Sequence, residues 1–367
     1  MHMYPHNVWY VAALAREISA TPLARRILGE RLVLFRTASG NPVALADRCP
    51  HRQLPLSRGR VLGEHIQCGY HGAQFDAAGR CRLVPGQSEI PDHAAVRSCP
   101  VRERHGFIWI WMGDADLAAA ADPAPICSFL DRGNWGTLDA YIHIACNYEL
   151  INDNLADITH TEFVHPTTLG NESMRAARGE LAPESSSIPR FEANLVDGGM
   201  NFRLSLTGTR PAPSFENAYR RVRGLKAGLA LDFQLEFSFR APAFWLFSPT
   251  AMKSGTPAAE GVSTSGLILI TPEDRTSSHY FHKICQSYAP EVEAETRYWL
   301  DETCRAFDED KVVLEAQQRN LECDAGDASA PVSFRGDWMG FQVRKLVRAM
   351  LAAESGQPRL LESGAAR

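Results

Sequence analysis

The sequence lacks most features that would direct a chain to a membrane, a secretory route or a nucleic acid. No run approaches the ~18 consecutive apolar residues of a membrane-crossing helix. The start, Met1 to Ala13, has no basic segment followed by a long apolar stretch, so no secretory leader is expected. The net charge is −5 with both signs spread along the chain, and no basic block marks a nucleic-acid surface. There is no internal repeat and no low-complexity tract. The nine cysteines are odd in number and mostly far apart, which argues against a disulfide framework and for a reducing cytoplasm. A dinucleotide fingerprint and the Cys-x4-Cys-x2-Cys run of plant-type ferredoxins are both missing.

What is present is a chain of 367 residues, long enough for two domains. The first third reads as short strands and turns, among them Arg31–Arg36, Pro42–Ala46, Gln74–Asp76, Cys81–Val84 and the alternating His105–Met112. Ala115–Pro125 is rich in Ala, Asp and Pro, and a boundary is expected there, between a domain of residues 1–118 and one of 119–367. The second part opens with a strand near Ala140–Cys146. A helix over Glu149–Phe163 follows, stopped by Pro166, and then a polar, mobile loop over Thr167–Ser187. Strand-like runs follow at Phe191–Leu206, Leu231–Phe239, Ala243–Phe247, Gly266–Ile270 and Ser278–Ile284, with an irregular stretch over Arg210–Gly228. Helices over Glu291–Asn320 and Trp338–Glu354 close the chain before a frayed final dozen residues. Strands followed by helices in this order predict an α+β fold.

The strongest chemical signal is Cys49-Pro-His51 followed, after sixteen residues, by Cys68-Gly-Tyr-His71. Each cysteine carries its own histidine, unlike the usual zinc pattern, which ends in two neighbouring histidines. Two such loops can close on one [2Fe-2S] cluster. Two imidazoles in place of two thiolates raise its potential into the Rieske range, roughly −150 to +300 mV. Gly69 and Gly72 permit close backbone approach, and Pro50 stiffens the first loop.

The second signal is Asn154, Asp157 and His160, spaced i, i+3, i+6 along one helical face, with His165 five residues on. Two histidines and a carboxylate form the facial triad of non-haem Fe(II), which leaves positions open for O2. The carboxylate comes from elsewhere, and the late helix offers Asp308, Glu309 and Asp310. Trp299, Thr303, Phe307, Asp310 and Leu314 share one stripe, so periodicity favours Asp310 as the inward-facing acid. Asp157 has two roles open to it, ligand or hydrogen-bond partner of an imidazole, and the second is preferred. Phe237, Phe239, Trp245 and Phe247 are candidates for an aromatic pocket, although such residues are more often core. Arg48, Arg52, Arg58 and Arg60 surround the first cysteine loop, either as a landing site for an acidic electron donor or as ordinary solvated surface.

Over nearly its whole length the chain resembles the oxygenase components of Rieske non-haem iron monooxygenases: the subunits of vanillate O-demethylase, dicamba monooxygenase and toluenesulfonate methyl-monooxygenase. The resemblance is carried by Asn7–Ala13, the two Cys/His pairs, Asp153-Asn-Leu-Ala-Asp157, His160, His165-Pro-Thr-Thr-Leu-Gly170, Ile270-Thr-Pro-Glu273 and Asp308–Lys311 running into Glu315–Asn320. It implies an all-β Rieske domain followed by a helix-grip catalytic domain with an antiparallel sheet. It implies Cys49, His51, Cys68 and His71 on the cluster, His160, His165 and Asp310 on a mononuclear iron, and Asn154 close to that iron. It further implies a head-to-tail homotrimer in which Asp157 bridges His71 of one subunit to His160 of the next. O2 is the cosubstrate, NADH electrons arrive through a separate reductase, and the substrate is a small aromatic. O-demethylation or methyl hydroxylation is expected, with ring dihydroxylation or a plain Rieske electron carrier as alternatives. The stretch from Arg210 to Lys253 carries no resemblance in substrate residues.

Overall fold

The structure is a computed structural model that describes residues 3–170, 190–224, 230–323 and 332–356. The expected mobile loop lies mostly outside these residues, as does the expected frayed end. The chain divides into two compact units, Met1–Pro125 with Ile270–Phe281, and Ile126–Leu269 with His282–Arg367.

The first unit is built almost entirely of short strands. One sheet joins Trp9–Leu14, Phe107–Trp111 and Val101–Arg104. A second runs in the order Leu23–Ile27, Glu30–Arg36, Pro42–Ala46, Ser98–Cys99. The third joins Arg60–Leu62, His65–Gln67, Gln74–Phe75 and Cys81–Leu83. Val33, Phe35, Val43, Leu45, Leu56 and Phe75 form a core that also contains Cys49 and Cys68. The cysteines are therefore packed into the hydrophobic centre of this unit.

The sheet of the second unit has seven strands: β1 (Gly136–Ile144), β2 (Arg190–Val196), β3 (Gly199–Thr209), β4 (Leu231–Arg240), β5 (Phe244–Met252), β6 (Val262–Pro272) and β7 (Ser278–Gln286). Their order is β1-β7-β6-β5-β4-β3-β2, an antiparallel meander from β2 to β6 with β1 at the far edge. Residues on alternate positions face one side. Helices α1 (Tyr148–Ala156), α2 (Thr161–Val164), α3 (Pro213–Arg223), α4 (Glu293–Cys323) and α5 (Trp338–Glu354) complete it. Phe215 of α3 packs on Trp299 of α4, ring centroids 4.6 Å apart, in a core shared with Val262, Ile284 and Leu300.

Three sequence expectations change. Phe191–Leu206 is two strands, β2 and the start of β3, because Asp197-Gly198 makes the hairpin turn with Gly198 at φ 63°. Arg210–Gly228 contains α3, which starts with Pro213 in its first turn and ends at Gly224 with φ 67°, the usual signals for both helix ends. The helix expected over Glu149–Phe163 breaks at Asp157, whose backbone is extended at φ −102°, ψ 96°. Its carboxylate Oδ1 accepts from Thr159 N at 2.8 Å and Thr159 Oγ1 at 2.6 Å, capping a new short turn, Ile158–His160.

Candidate metal centres

The two cysteine loops of the first unit have the same backbone wiring. Cys49 N donates to Leu54 O and Gln53 N donates to Cys49 O; Cys68 N donates to Ala73 O and Gly72 N donates to Cys68 O. In each loop the fourth residue after the cysteine is left-handed, Gln53 at φ 64° and Gly72 at φ 76°. Glycine is the low-strain choice at Gly72. Gly69 serves a different need: a Cβ there would stand 2.7 Å from Arg58 O. Gly69 thus lets the second cysteine loop run close to the backbone of Arg58 and Gly59, at the end of the turn Leu56–Arg58.

Both thiols are buried, and Cys49 and Cys68 lie close enough to interact. Burial first, and then the Cys68 thiol alongside, push the Cys49 thiol above its ordinary range. A cation or cluster that takes both sulfurs as thiolates removes that penalty. The imidazoles of His51 and His71 lie 4.6 Å apart between ring centroids, at the exposed end of the loops, with Tyr70 stacked on His71 at 3.9 Å. Sulfur donors inside and imidazoles outside fit a Rieske cluster, whose histidine-bound iron exchanges electrons with a partner.

In the second unit α1 is fixed by three consecutive residues, about 100° apart around the helix. Asn152 donates to Pro242 O and accepts from Trp245 Nε1, both at 2.9 Å. Asp153 pairs with Arg344 of α5. Asn154 Nδ2 donates to Asp310 Oδ1 of α4 at 3.0 Å. The entry to α1 is held from the same helix: Glu315 accepts from Ala145 N and Gln318 from Asn147 N. Those two contacts explain part of the Glu315–Asn320 motif.

His160, His165 and Asp310 come together, with their ligating atoms within 4.8 Å of one another. Asp310 Oδ1 is 3.1 Å from His165 Nε2 and 3.4 Å from His160 Nε2. Asp310 is buried on the inward stripe of α4 together with Trp299 and Leu314. Burial by itself raises the Asp310 carboxyl, but hydrogen bonds from the two imidazoles outweigh it and bring it to about 2. Burial likewise disfavours a charged His165, yet Asp310 and then Glu309 lift it above the ordinary imidazole range. Two Nε2 atoms and one carboxylate converging within 4.8 Å are the donor set of a mononuclear Fe(II) site.

The other ring nitrogens are also engaged. His160 Nδ1 meets the backbone carbonyl of Asp157. The Asp157 carboxylate Oδ1 accepts from Thr159 N and Oγ1 in the same turn. His165 Nδ1 lies 2.8 Å from Glu309 Oε2. The sequence offers Glu309 only as an alternative to Asp310 for the iron carboxylate, and no spacing rule links it to His165.

A cavity of about 190 Å³ ends on Asn154, His160, His165 and Asp310. Its walls are alternate residues of the sheet, including Leu204 and Leu206 on β3, Phe233 and Leu235 on β4, and Phe247 on β5. Of the four aromatics singled out in the sequence, only Phe247 lines it. Phe237, Phe239 and Trp245 are core: Phe237 stacks on Phe202, Trp245 stacks on Phe247, and Phe239 packs against Trp245. Sequence reasoning missed the other wall residues; the signal that could have found them is the period-two alternation of Leu204 and Leu206 and of Phe233 and Leu235.

An all-β unit with a Rieske donor set and a sheet-and-helix unit with a two-histidine, one-carboxylate pocket define the oxygenase component of a Rieske non-haem iron system. The Rieske [2Fe-2S] domain family matches residues 8–98, and the family described as vanillate O-demethylase oxygenase C-terminal domain matches residues 144–353. The chain belongs to the vanillate O-demethylase oxygenase family of Rieske monooxygenases. It is 34% identical to the toluene-4-sulfonate monooxygenase system iron-sulfur subunit of Comamonas testosteroni over 363 residues, 96% of this chain and 99% of that protein. It is also 34% identical to the dicamba O-demethylase oxygenase component of Stenotrophomonas maltophilia over 358 residues, 96% and 99% of the two chains. The crystal structure of dicamba monooxygenase bound to 3,6-dichlorosalicylic acid superposes with a TM-score of 0.85 at 30% identity, covering 96% of this chain and 99% of that one. The α+β class, with a Rieske β domain, a large antiparallel sheet and C-terminal helices, is as the sequence led one to expect.

Proposed function

We propose that this oxygenase oxidises a methoxy or methyl carbon on a small, single-ring aromatic compound, with residues 1–118 carrying the cluster and residues 119–367 the catalytic site. The observation that carries this reading is the apolar cavity ending on the His160, His165 and Asp310 set. A dry cavity near 150 Å³ can hold benzene, so about 190 Å³ suits one substituted ring. When bound, a Rieske cluster supplies electrons singly and a mononuclear Fe(II) supplies O2 activation.

The chain's own part is placement. Cys49, His51, Cys68 and His71 are assigned to the cluster, and His160, His165 and Asp310 to the iron. Leu204, Leu206, Phe233, Leu235 and Phe247 hold the ring against the metal end of the cavity and exclude water. Asn154 steadies Asp310 through its 3.0 Å hydrogen bond. Hydroxylation of a methoxy carbon gives a hemiacetal, which collapses to a phenol and formaldehyde.

Electrons are supplied by a separate NADH-dependent reductase, whose docking face we place at the exposed Arg48, Arg52, Arg58 and Arg60 around the first cysteine loop. We assign the assembly as a head-to-tail trimer in which Asp157 stands between His71 of one subunit and His160 of the next. Exposed Phe163, Phe334, Trp338 and Phe341 lie on the unit that carries Asp157, and a second cavity lined by Asp157, His160, Phe341 and Arg344 opens there. No helix among the described residues is long and apolar enough to cross a membrane. All nine cysteines are unpaired, which suits the cytoplasm.

The test is anaerobic purification with iron and sulfide analysis, followed by turnover of methoxy- and methyl-arenes with a reductase. Formaldehyde or benzyl alcohol formation supports the reading. A cis-diol product would replace it with ring dihydroxylation.

A further inference from the structure

His165 is pinched between two consecutive carboxylates of α4. Asp310 Oδ1 stands 3.1 Å from Nε2, on the side of the metal set, and Glu309 Oε2 stands 2.8 Å from Nδ1, on the opposite edge of the ring. His160 is treated differently, because among the described residues its Nδ1 meets the neutral carbonyl of Asp157. The two imidazoles of the site are therefore chemically unequal.

The arrangement around Glu309 is built rather than incidental. Thr168, fully buried, approaches the same Oε2 with its hydroxyl at 3.4 Å. Thr168 is itself held by α3, whose Ser214 donates to Thr168 O from both its amide, at 3.4 Å, and its hydroxyl, at 3.0 Å. The turn after His165 closes back on that residue: Thr168 N and Gly170 N both donate to His165 O, at 3.3 and 2.7 Å. A Cβ at Gly170 would sit 2.8 Å from that same oxygen, so the turn needs glycine there. The stretch His165-Pro-Thr-Thr-Leu-Gly170 thus reads as a cradle that fixes one imidazole and hands its outer nitrogen to Glu309.

We propose that Glu309 is the positioning residue of His165: its carboxylate holds the ring as the Nδ1–H tautomer, leaves the Nε2 lone pair to the metal, and makes His165 the stronger imidazole donor of the pair. This rests on the assignment of His160, His165 and Asp310 to a mononuclear iron. An ionised acceptor on a ligand's outer N–H both orients the ring and increases its basicity, and loss of such a partner commonly lowers metal affinity 10- to 100-fold.

The experiment uses the full-length protein carrying its cluster and stripped of mononuclear metal, titrated anaerobically with Fe(II) against a competing chelator and, separately, with Co(II) read by its visible absorption. Glu309→Ala is expected to weaken Fe(II) binding about 10- to 100-fold and to shift the Co(II) bands, with acid-labile sulfide and cluster spectrum unchanged. Glu309→Gln keeps an acceptor oxygen for Nδ1–H but loses the charge. It is expected to recover most of the affinity while the Co(II) bands stay displaced, a pattern that a merely structural role would not give. If Glu309→Ala fails to fold, Glu309→Gln with unshifted Co(II) bands overturns the proposal alone. Affinity within about threefold of the parent in a folded Glu309→Ala variant overturns it as well. A parent protein that binds neither metal would instead overturn the iron assignment on which the proposal rests.

Discussion

Asp157 performs two local tasks at once, and they separate cleanly by atom. Its carboxylate caps the turn that follows, and its carbonyl faces His160 Nδ1. Asparagine caps as well as aspartate does, so Asp157→Asn keeps the turn, the His160 contact and the iron. What it loses is the negative charge assigned to the bridge toward the neighbouring subunit's cluster. Turnover is expected to fall by about 10- to 100-fold, with iron content and thermal unfolding essentially those of the parent. Iron analysis, calorimetry and steady-state rates on one preparation check this. Parent-level activity would remove Asp157 from the bridge, while lost iron would make it a structural residue of the site.

At the scale of elements, the broken helix does the geometric work. A continuous helix over Glu149–Phe163 would carry Asn154, Asp157 and His160 up one face as a line of side chains. The break at Asp157 bends the chain so that His160 and His165 approach with ring planes 74° apart and centroids 5.3 Å apart. Two imidazoles meeting at a corner can serve two sites of one coordination sphere. The sheet contributes the cavity and, with it, the limit on substrate size. Gly266 of β6 lies opposite Phe247 of β5 and lines the cavity, and a Cβ built on it meets nothing within 4 Å. Gly266→Leu is therefore expected to fold, to keep both metal sites and to fill part of the 190 Å³. Methoxy-arenes with further ring substituents should lose about tenfold or more in kcat/KM, while the smallest substrates lose little. Kinetics across a graded substrate series check this; a uniform loss would place Gly266 away from the ring.

At the scale of the whole molecule, the question is whether cluster and iron cooperate within a chain or between chains. In a head-to-tail ring each iron site is served by the cluster of its neighbour. With His71 assigned to the cluster and Asp310 to the iron, chains carrying His71→Ala are expected to lose cluster function and chains carrying Asp310→Ala the iron. Each should be inactive alone. Co-expressed in equal amounts and purified together, they should regain about one quarter of the parent rate, the chance that an intact iron site sits beside an intact cluster in a closed ring. Reductase-coupled product formation measures it. No recovery in a verified mixed assembly would mean that electrons pass within single chains.

The metal chemistry was legible in the sequence because it resides in residue types and short spacings. Cys49, His51, Cys68 and His71 occupy two local loops whose form depends on a few neighbouring residues. His160 and His165 are close in sequence, and the periodicity of α4 pointed Asp310 inward. The tertiary structure decided the rest, for reasons that local pattern does not contain. Helix propensity could not foresee that Asp157 would spend its carboxylate on Thr159 and break the helix. The partners of the two imidazoles, Glu309 for one and a backbone carbonyl for the other, depend on how α4 lies against the His165 turn, a contact 144 residues apart in sequence. The cavity belongs to the sheet as a whole: Leu204, Phe233 and Phe247 share one face only because three antiparallel strands pair in one register. Sequence fixes which chemistry is available through side-chain identity, whereas the shape that selects a substrate arises from long-range packing.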